Sequence, residues 1–122
     1  MNFADMVLDA GEKVDRQPLA GRYARQTEIV KALAHPFRLA VVECLKDGER
    51  CVCEIAECVG AHQSNLSRHM AMMTHAGVLA RRKDGMKVFY RVRCKRVFAA
   101  LDCVDRIVGE QTAERSALLD RR

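Results

Sequence analysis

Apolar residues in the middle of the chain recur first at helical spacing and then along two runs typical of strands. A short helix that ends at Gly60 has three apolar positions, Ile55, Cys58 and Val59. After a tight turn at Gly60-Ala61, a second helix carries one apolar stripe at i, i+4 and i+7, formed by Leu66, Met70 and Met73. Gly77 closes this helix as a C′ residue does. The pattern predicts a helix-turn-helix.

Two strand-like runs follow, at residues 78–83 and 87–93, and Asp84-Gly85 between them is a strong hairpin signal. A helix, a turn, a helix and a basic hairpin in this order make a winged helix-turn-helix. We therefore predict a mainly α fold with a small β-hairpin wing, which is a DNA-reading module.

The flanking segments set the expected domain limits. Residues 1–21 predict a short N-terminal helix and a linker, residues 22–108 the winged helix-turn-helix domain with a C-terminal helix, and residues 109–122 a polar, frayed tail. At the break before the third predicted helix, His35 is expected to act as a cap and Pro36 as the first helical residue.

The C-terminal helix of the domain has a long apolar stripe that little else in the chain can cover. Its residues are Val97, Phe98, Leu101, Val104, Ile107 and Val108. The economical cover is the same helix of a second copy, so we predict a homodimer. Two reading modules about one DNA turn apart also suit a near-palindromic site.

Composition limits the class of protein without changing this picture. With 122 residues, 49% hydrophobic and 30% charged, the chain fits one globular domain. No apolar run approaches the roughly 20 residues that span a bilayer, and the first residues lack a basic leader, so we expect a cytoplasmic protein without membrane contact. No glycine-rich phosphate loop or catalytic Cys-His arrangement appears, which argues against an enzyme.

Charge is concentrated on the predicted reading module. The net charge of the chain is +5, yet residues 62–95 alone carry +7 and the remainder −2. Such a basic patch is typical of proteins that bind nucleic acid. Candidate groove and phosphate contacts on the second helix are Ser64, Asn65, Ser67, Arg68 and His69. Candidate phosphate contacts on the wing are Arg81, Arg82, Lys83 and Lys87.

The chain resembles the ArsR/SmtB family of bacterial metal-sensing repressors over residues 22–108. The matching motifs, in the family's order, are KALAHPFRLAVVECL at 31–45, CVCEIA at 51–56, QSNLSRHM at 63–70, AGVL at 76–79 and RRKDGMKVFYRV at 81–92. The resemblance implies a winged-helix homodimer that binds operator DNA and releases it when a metal or metalloid binds.

Cysteine is the candidate sensing residue. Six cysteines in a short chain of a reducing compartment favour metal ligation or redox sensing over a disulfide framework. Cys51 and Cys53 form a CVC motif at the predicted helix start. Soft thiolates select soft ions such as As(III), Sb(III), Cd(II), Pb(II) or thiolate-bound Zn(II).

The third sulfur departs from the family pattern. In arsenic-sensing relatives a further cysteine three residues after the CVC motif completes a three-sulfur site, but that position is Ala56 here and the next cysteine is Cys58. On an ideal helix Cys58 points about 140° away from Cys53 and lies ~7.5 Å along the axis. Two sulfurs on one ion lie within about 4–5 Å, so Cys58 can serve only if the helix start is irregular. The alternatives are Cys44, Cys94 and Cys103.

Four functions remain open from the sequence. The preferred one is a dimeric repressor that As(III) or Sb(III) releases from operator DNA through Cys51, Cys53 and Cys58. The second senses Cd(II), Pb(II) or Zn(II) at a four-ligand site. The third senses oxidation or persulfidation of a cysteine pair. The fourth is an architectural DNA-binding protein without a ligand.

Overall fold

A computed structural model of the chain describes residues 16–120, and the side chains from residue 20 onward. The described part is mainly helical, with one small antiparallel sheet, as the sequence predicts. The elements in chain order are α1 (Arg16–Leu33), α2 (Pro36–Cys44), β1 (Arg50–Cys51), α3 (Val52–Val59), α4 (Gln63–His75), β2 (Leu79–Asp84), β3 (Lys87–Val92) and α5 (Arg96–Asp120). Among these helices, none is both long and apolar enough to cross a membrane.

Both outer helices are longer than expected. Helix α1 starts at Arg16, so the second half of the predicted linker is helical, and Pro18 fits because it lies in the first turn. Helix α5 continues to Asp120, so residues 109–120 extend the helix where a frayed tail was expected. The predicted short N-terminal helix, expected over residues 2–10 ahead of the linker, lies outside the described residues.

The start of α2 follows its local sequence. The Phe37 backbone N–H donates to His35 Nδ1 at 3.1 Å, and Pro36 occupies the first helical position. His35 therefore satisfies a donor that the first turn leaves without an intrahelical acceptor. The predicted capping role of His35 is confirmed.

Helices α3 and α4 form the predicted helix-turn-helix. Gly60 adopts a left-handed conformation with φ 74°, which ends α3 and turns the chain toward α4. The predicted apolar stripe of α4 is fully buried at Leu66, Met70 and Met73. This stripe packs into a core that also receives side chains from α1, α2, α3 and the sheet.

The wing is the β2–β3 hairpin, and its turn differs by one residue from the prediction. Asp84 pairs with Lys87, so the connecting loop is Gly85-Met86. Gly85 has φ 62° while Met86 does not have a positive φ, which is the requirement of a type II′ turn with glycine at its first position. Strand β1 was not predicted; it pairs with β3 and gives the sheet order β1-β3-β2.

One face of the protomer remains apolar and open. Leu39 is 39% exposed and lines a groove together with Val42, Phe98 and Leu101. The stripe continues along α5 through three residues more than half exposed, Val104, Ile107 and Val108. The protomer covers the start of the α5 stripe and leaves its middle uncovered.

Candidate DNA-reading surface and cysteine site

Helix α4 is called here the reading helix. Its polar face points away from the core. Its apolar stripe is buried on the other side, and the positions between the stripe residues face solvent. The exposed candidates are Ser64, Asn65, Ser67 and Arg68. Ser67 Oγ donates to the Gln63 carbonyl within the helix at 2.8 Å, and its oxygen can still accept from a ligand. The reading helix thus offers an exposed polar and cationic face for a groove of DNA.

His69 is placed differently from the other candidates on the reading helix. Its ring is half-buried, its Nδ1 accepts from Arg38 Nε at 3.3 Å, and it stacks on the ring of Phe37 with centroids 5.6 Å apart. The ring centroid of His35 lies 4.4 Å away. Partial burial, followed by the charges of His35, Arg38 and Arg68, lowers the pKa of His69. The neutral ring anchors the reading helix to the start of α2.

Three of the four cationic candidates on the wing are free to meet a phosphate. Arg81, Lys83 and Lys87 are exposed on the hairpin, and none of the described hydrogen bonds or ion pairs involves their side chains. Lys83 and Lys87 lie beside the hairpin loop, where Met86 is fully exposed, and Arg81 lies in the middle of β2. The wing therefore carries free positive charge at its tip.

Arg82 is the fourth cationic candidate and is already engaged. Its guanidinium makes a two-point ion pair with Glu49, with Nε 3.1 Å from Oε2, and reaches Asp84 at 3.4 Å. It also lies 4.6 Å from the centroid of the Phe89 ring. The hydrogen bond from Arg82 lowers the pKa of the Glu49 carboxyl, and that same bond raises the pKa of Arg82. Arg82 ties the wing to the segment before the CVC motif.

The CVC cysteines lie where α3 begins, as predicted. Cys51 is the N-cap and is 8% exposed, while Cys53, the second helical residue, is exposed. Glu54 Oε1 accepts from the Cys51 backbone N–H at 3.2 Å, in a capping-box arrangement. Hydrogen bonds from the Cys51 thiol and backbone lower the pKa of the Glu54 carboxyl.

Cys53 also contacts the reading helix. The side-chain amide of Gln63, the first residue of α4, donates to Cys53 Sγ across 3.1 Å. The bond joins residues ten positions apart and on different helices. Cys53 of the cysteine pair Cys51/Cys53 is therefore in direct contact with the reading helix.

Cys58 is not brought to the cysteine pair. Its sulfur is bonded to that of Cys44 at the end of α2, with the two Cα atoms 6.3 Å apart. Because α3 is regular, Cys58 lies on a different side of the helix from Cys53, as the helical rotation requires. Within residues 16–120, no group of three or more ligating side chains is close enough to hold a metal ion.

Two of these contacts could hardly be foreseen from the sequence. Gln63 and Glu49 were not among the candidate residues, because a single exposed polar residue has no periodic signature. Gln63 does fall within the motif at 63–70, and its position at the start of the second helix was the only available signal. The other free cysteines, Cys94 and Cys103, are exposed.

Comparison with known proteins agrees with this geometry. Residues 35–81 match the family profile described as bacterial regulatory protein, arsR family. The chain is 31% identical over 108 residues to the HTH-type transcriptional regulator Rv0081 of Mycobacterium tuberculosis, covering 88% of this chain and 92% of that protein. The crystal structure of Rv0081 superposes with a TM-score of 0.68, covering 76% of this chain and 94% of that one.

Two further proteins bear on assembly and ligand. A homodimeric winged helix-turn-helix domain from Mycobacterium bovis, a possible ArsR-family regulator, has a TM-score of 0.67 at 27% identity, covering 84% of this chain and 93% of that one. The arsenical resistance operon repressor of Escherichia coli is 38% identical over 66 residues, which are 53% of this chain and 56% of that protein. With its winged helix-turn-helix and its likeness to Rv0081 over almost the whole of both chains, this protein belongs to the arsR family of bacterial regulators and is a DNA-binding transcriptional regulator, not an enzyme.

Proposed function

We propose that this regulator is a homodimeric repressor that leaves its operator when As(III) or Sb(III) binds the thiolates of Cys51 and Cys53. The observation that carries the proposal is the hydrogen bond from Gln63 to Cys53 Sγ. It connects Cys53, one of the two cysteines at the start of α3, to the first residue of the reading helix. An ion bound to Cys53 competes for the lone pairs of the same sulfur and weakens that contact.

Operator binding in this proposal uses the exposed polar face of the reading helix and the wing. The groove contacts come from Ser64, Asn65, Ser67 and Arg68, and the phosphate contacts from Arg81, Lys83 and Lys87. His69 and Arg82 act indirectly, because each is already held by contacts inside the protomer. The homodimer forms on the uncovered stripe of α5, as the M. bovis relative supports.

Cys51 and Cys53 can supply two of the three ligands of a thiophilic, three-coordinate ion. Cys51 and Cys53 stand two residues apart at a helix start, and Cys53 is open to solvent. The third position is filled from outside the pair, by a solution thiol, a hydroxide, or one of the exposed cysteines Cys94 and Cys103. A four-ligand site for Cd(II), Pb(II) or Zn(II) has less support, because two more protein donors are lacking near the pair in residues 16–120.

The test is operator release by purified, reduced protein. Parent, Cys51→Ser and Cys53→Ser proteins are titrated with As(III), Sb(III), Cd(II) and Zn(II) while operator binding is followed by fluorescence anisotropy. We expect the parent to release DNA with As(III) and Sb(III), and each serine variant to bind DNA normally but stay bound. Cys94→Ser is the matched control, since it removes an exposed thiol outside the pair.

Two results contradict the proposal. Release of both serine variants at the parent's inducer concentration places the sensing site elsewhere. Release of the parent only by Cd(II) or Zn(II) replaces the metalloid with a divalent ion.

A further inference from the structure

Cys44 and Cys58 form a second thiol site, on the opposite end of α3 from the cysteine pair. Cys44 is the last residue of α2 and is 8% exposed, whereas Cys58 on α3 is exposed to solvent. Their Cα atoms are 6.3 Å apart, within the range that a disulfide spans without backbone movement. The fold therefore holds these two sulfurs at bonding distance.

The Cys44–Cys58 disulfide closes a loop of the chain that contains the start of α3. Cys44 and Cys58 are 14 positions apart in the sequence, and β1 and the cysteine pair lie between them. On one side the bond is anchored in the core, because the neighbouring α2 residues Val41, Val42 and Leu45 are buried. On the other side it lies two residues before Gly60, where the chain turns into the reading helix. An oxidised bond thus fixes α3 to α2 just ahead of the reading helix.

We propose that Cys44 and Cys58 are a reversible dithiol–disulfide site, separate from Cys51/Cys53, that restrains α3 and weakens the response to the thiophilic inducer when it is oxidised. The regulatory part rests on the proposed function, in which inducer binding weakens the contact between Cys53 and Gln63, and we expect α3 to shift against the reading helix when that contact weakens. A covalent bond between the other end of α3 and α2 opposes such a movement. In the reduced state α3 is held to α2 by packing alone, through buried residues such as Ile55.

The oxidant is a hydroperoxide, with hydrogen peroxide as the simplest case. The exposed Cys58 thiolate attacks one peroxide oxygen and breaks the O–O bond, which gives a sulfenic acid and, after protonation of the leaving hydroxide, one water. The Cys44 thiolate then attacks the sulfenic sulfur, the S–S bond forms, and the S–O bond breaks to release a second water. Two thiols and one peroxide become one disulfide and two waters. A small dithiol such as dithiothreitol reverses the bond by two thiol–disulfide exchanges.

The first measurement identifies the bond. Parent protein is treated with one equivalent of hydrogen peroxide, alkylated and digested, and the cross-linked peptides are assigned by mass. We expect the peptides of Cys44 and Cys58 to be joined, and the link to disappear with dithiothreitol. A closed loop of this length also predicts a melting temperature about 10 °C higher in the oxidised protein. A product that contains only other pairings, or only links between chains, overturns the proposal.

The second measurement tests the regulatory part by operator release. Oxidised parent should need at least about ten times more As(III) than reduced parent for half-release, in keeping with the size of typical couplings between sites. The matched control is Cys58→Ser, which changes an exposed residue and should respond equally before and after peroxide. Cys44→Ala provides a second variant without the bond.

The outcomes separate the two proposals. If oxidised and reduced parent release at the same As(III) concentration, or if peroxide also abolishes release of Cys58→Ser, the restraint on α3 is refuted. If the reduced parent protein does not release the operator when As(III) is added, the proposed function fails and the regulatory part fails with it. In either case, peptide mapping and the melting temperature show whether the Cys44–Cys58 disulfide forms.

Discussion

Replacing Gln63 by Met should uncouple inducer binding from operator release. Methionine keeps an unbranched side chain of similar length at the first position of the reading helix but cannot donate to Cys53 Sγ, which Gln63 does at 3.1 Å. Both groups are exposed, so the bond is worth about 1 kcal/mol, the middle of the range for a hydrogen bond with solvent competing. A loss of about 1 kcal/mol lowers a coupling factor by about fivefold.

The expected magnitude follows from the coupling of the two sites. If As(III) weakens operator binding of the parent by about thirtyfold, which is a coupling of ~2 kcal/mol, the Gln63→Met variant should weaken it only about sixfold. Operator affinity is measured by anisotropy with and without saturating As(III), and As(III) affinity by calorimetry. Because coupling is reciprocal, the As(III) affinity of the DNA-bound and free variant must differ by that same smaller factor.

Gln26→Met makes the same chemical change at an exposed position of α1 and should keep the parent's coupling. The ratio of affinities is the relevant quantity, since Gln63 can also contact DNA and its loss can lower operator affinity in both states. If Gln63→Met retains the full parental ratio while As(III) still binds, the contact does not transmit the signal. The Gln63–Cys53 bond would then be only a local helix contact.

Three further outcomes are expected. Lys83→Ala should reduce the salt dependence of operator binding by about one unit of slope. Arg82→Ala should reduce it less, because Glu49 and Asp84 already pair with Arg82 in the free protein; equal slopes for the two variants in anisotropy titrations would contradict this. Val104→Glu should convert a micromolar dimer to monomers in sedimentation and weaken operator binding at least tenfold, whereas Ala99→Glu, on the opposite side of α5, should stay dimeric like the parent; a monomeric parent would contradict the dimer. The pKa of His69 in the folded protein is below its unfolded value of about 6.5, so its contribution to stability is full above that pH and is lost as the pH falls through the lowered folded pKa. The melting temperature of His69→Gln should therefore depend less on pH than that of the parent between about pH 7.5 and 5, and an unchanged pH dependence would exclude His69 as its cause.

Features that depend on neighbouring residues could be predicted from the sequence alone. The burial of Leu66, Met70 and Met73 follows from their helical spacing, because one face of a helix must leave water. The start of α2 at Pro36 follows from the fixed φ of proline and from the cap that precedes it. The concentration of positive charge in residues 62–95 needs no structure to be seen, and it indicated the candidate DNA-reading surface.

Helix limits and turn register were less accessible, because the residues involved are compatible with more than one structure. Residues 109–120 are polar on most sides, which suits a frayed end and an exposed helix equally. The loop at Gly85-Met86 differs from Asp84-Gly85 by one position, and the pairing of β2 with β3 selected the register. Strand β1 has only two residues, too few for any alternation to show.

The contacts that join the elements were decided by the tertiary structure. Arg82 meets Glu49 across 33 residues, and Arg38 meets His69 across 31, which changed one candidate DNA contact into an anchor for the wing and another into an anchor for the reading helix. The pairing of Cys58 with Cys44 likewise moved a candidate ligand to a different site. Sequence periodicity reports which face of an element is buried, but it does not say which polar side chains from distant segments the packing brings together. Those partners are set by how the helices and the sheet fit around one core.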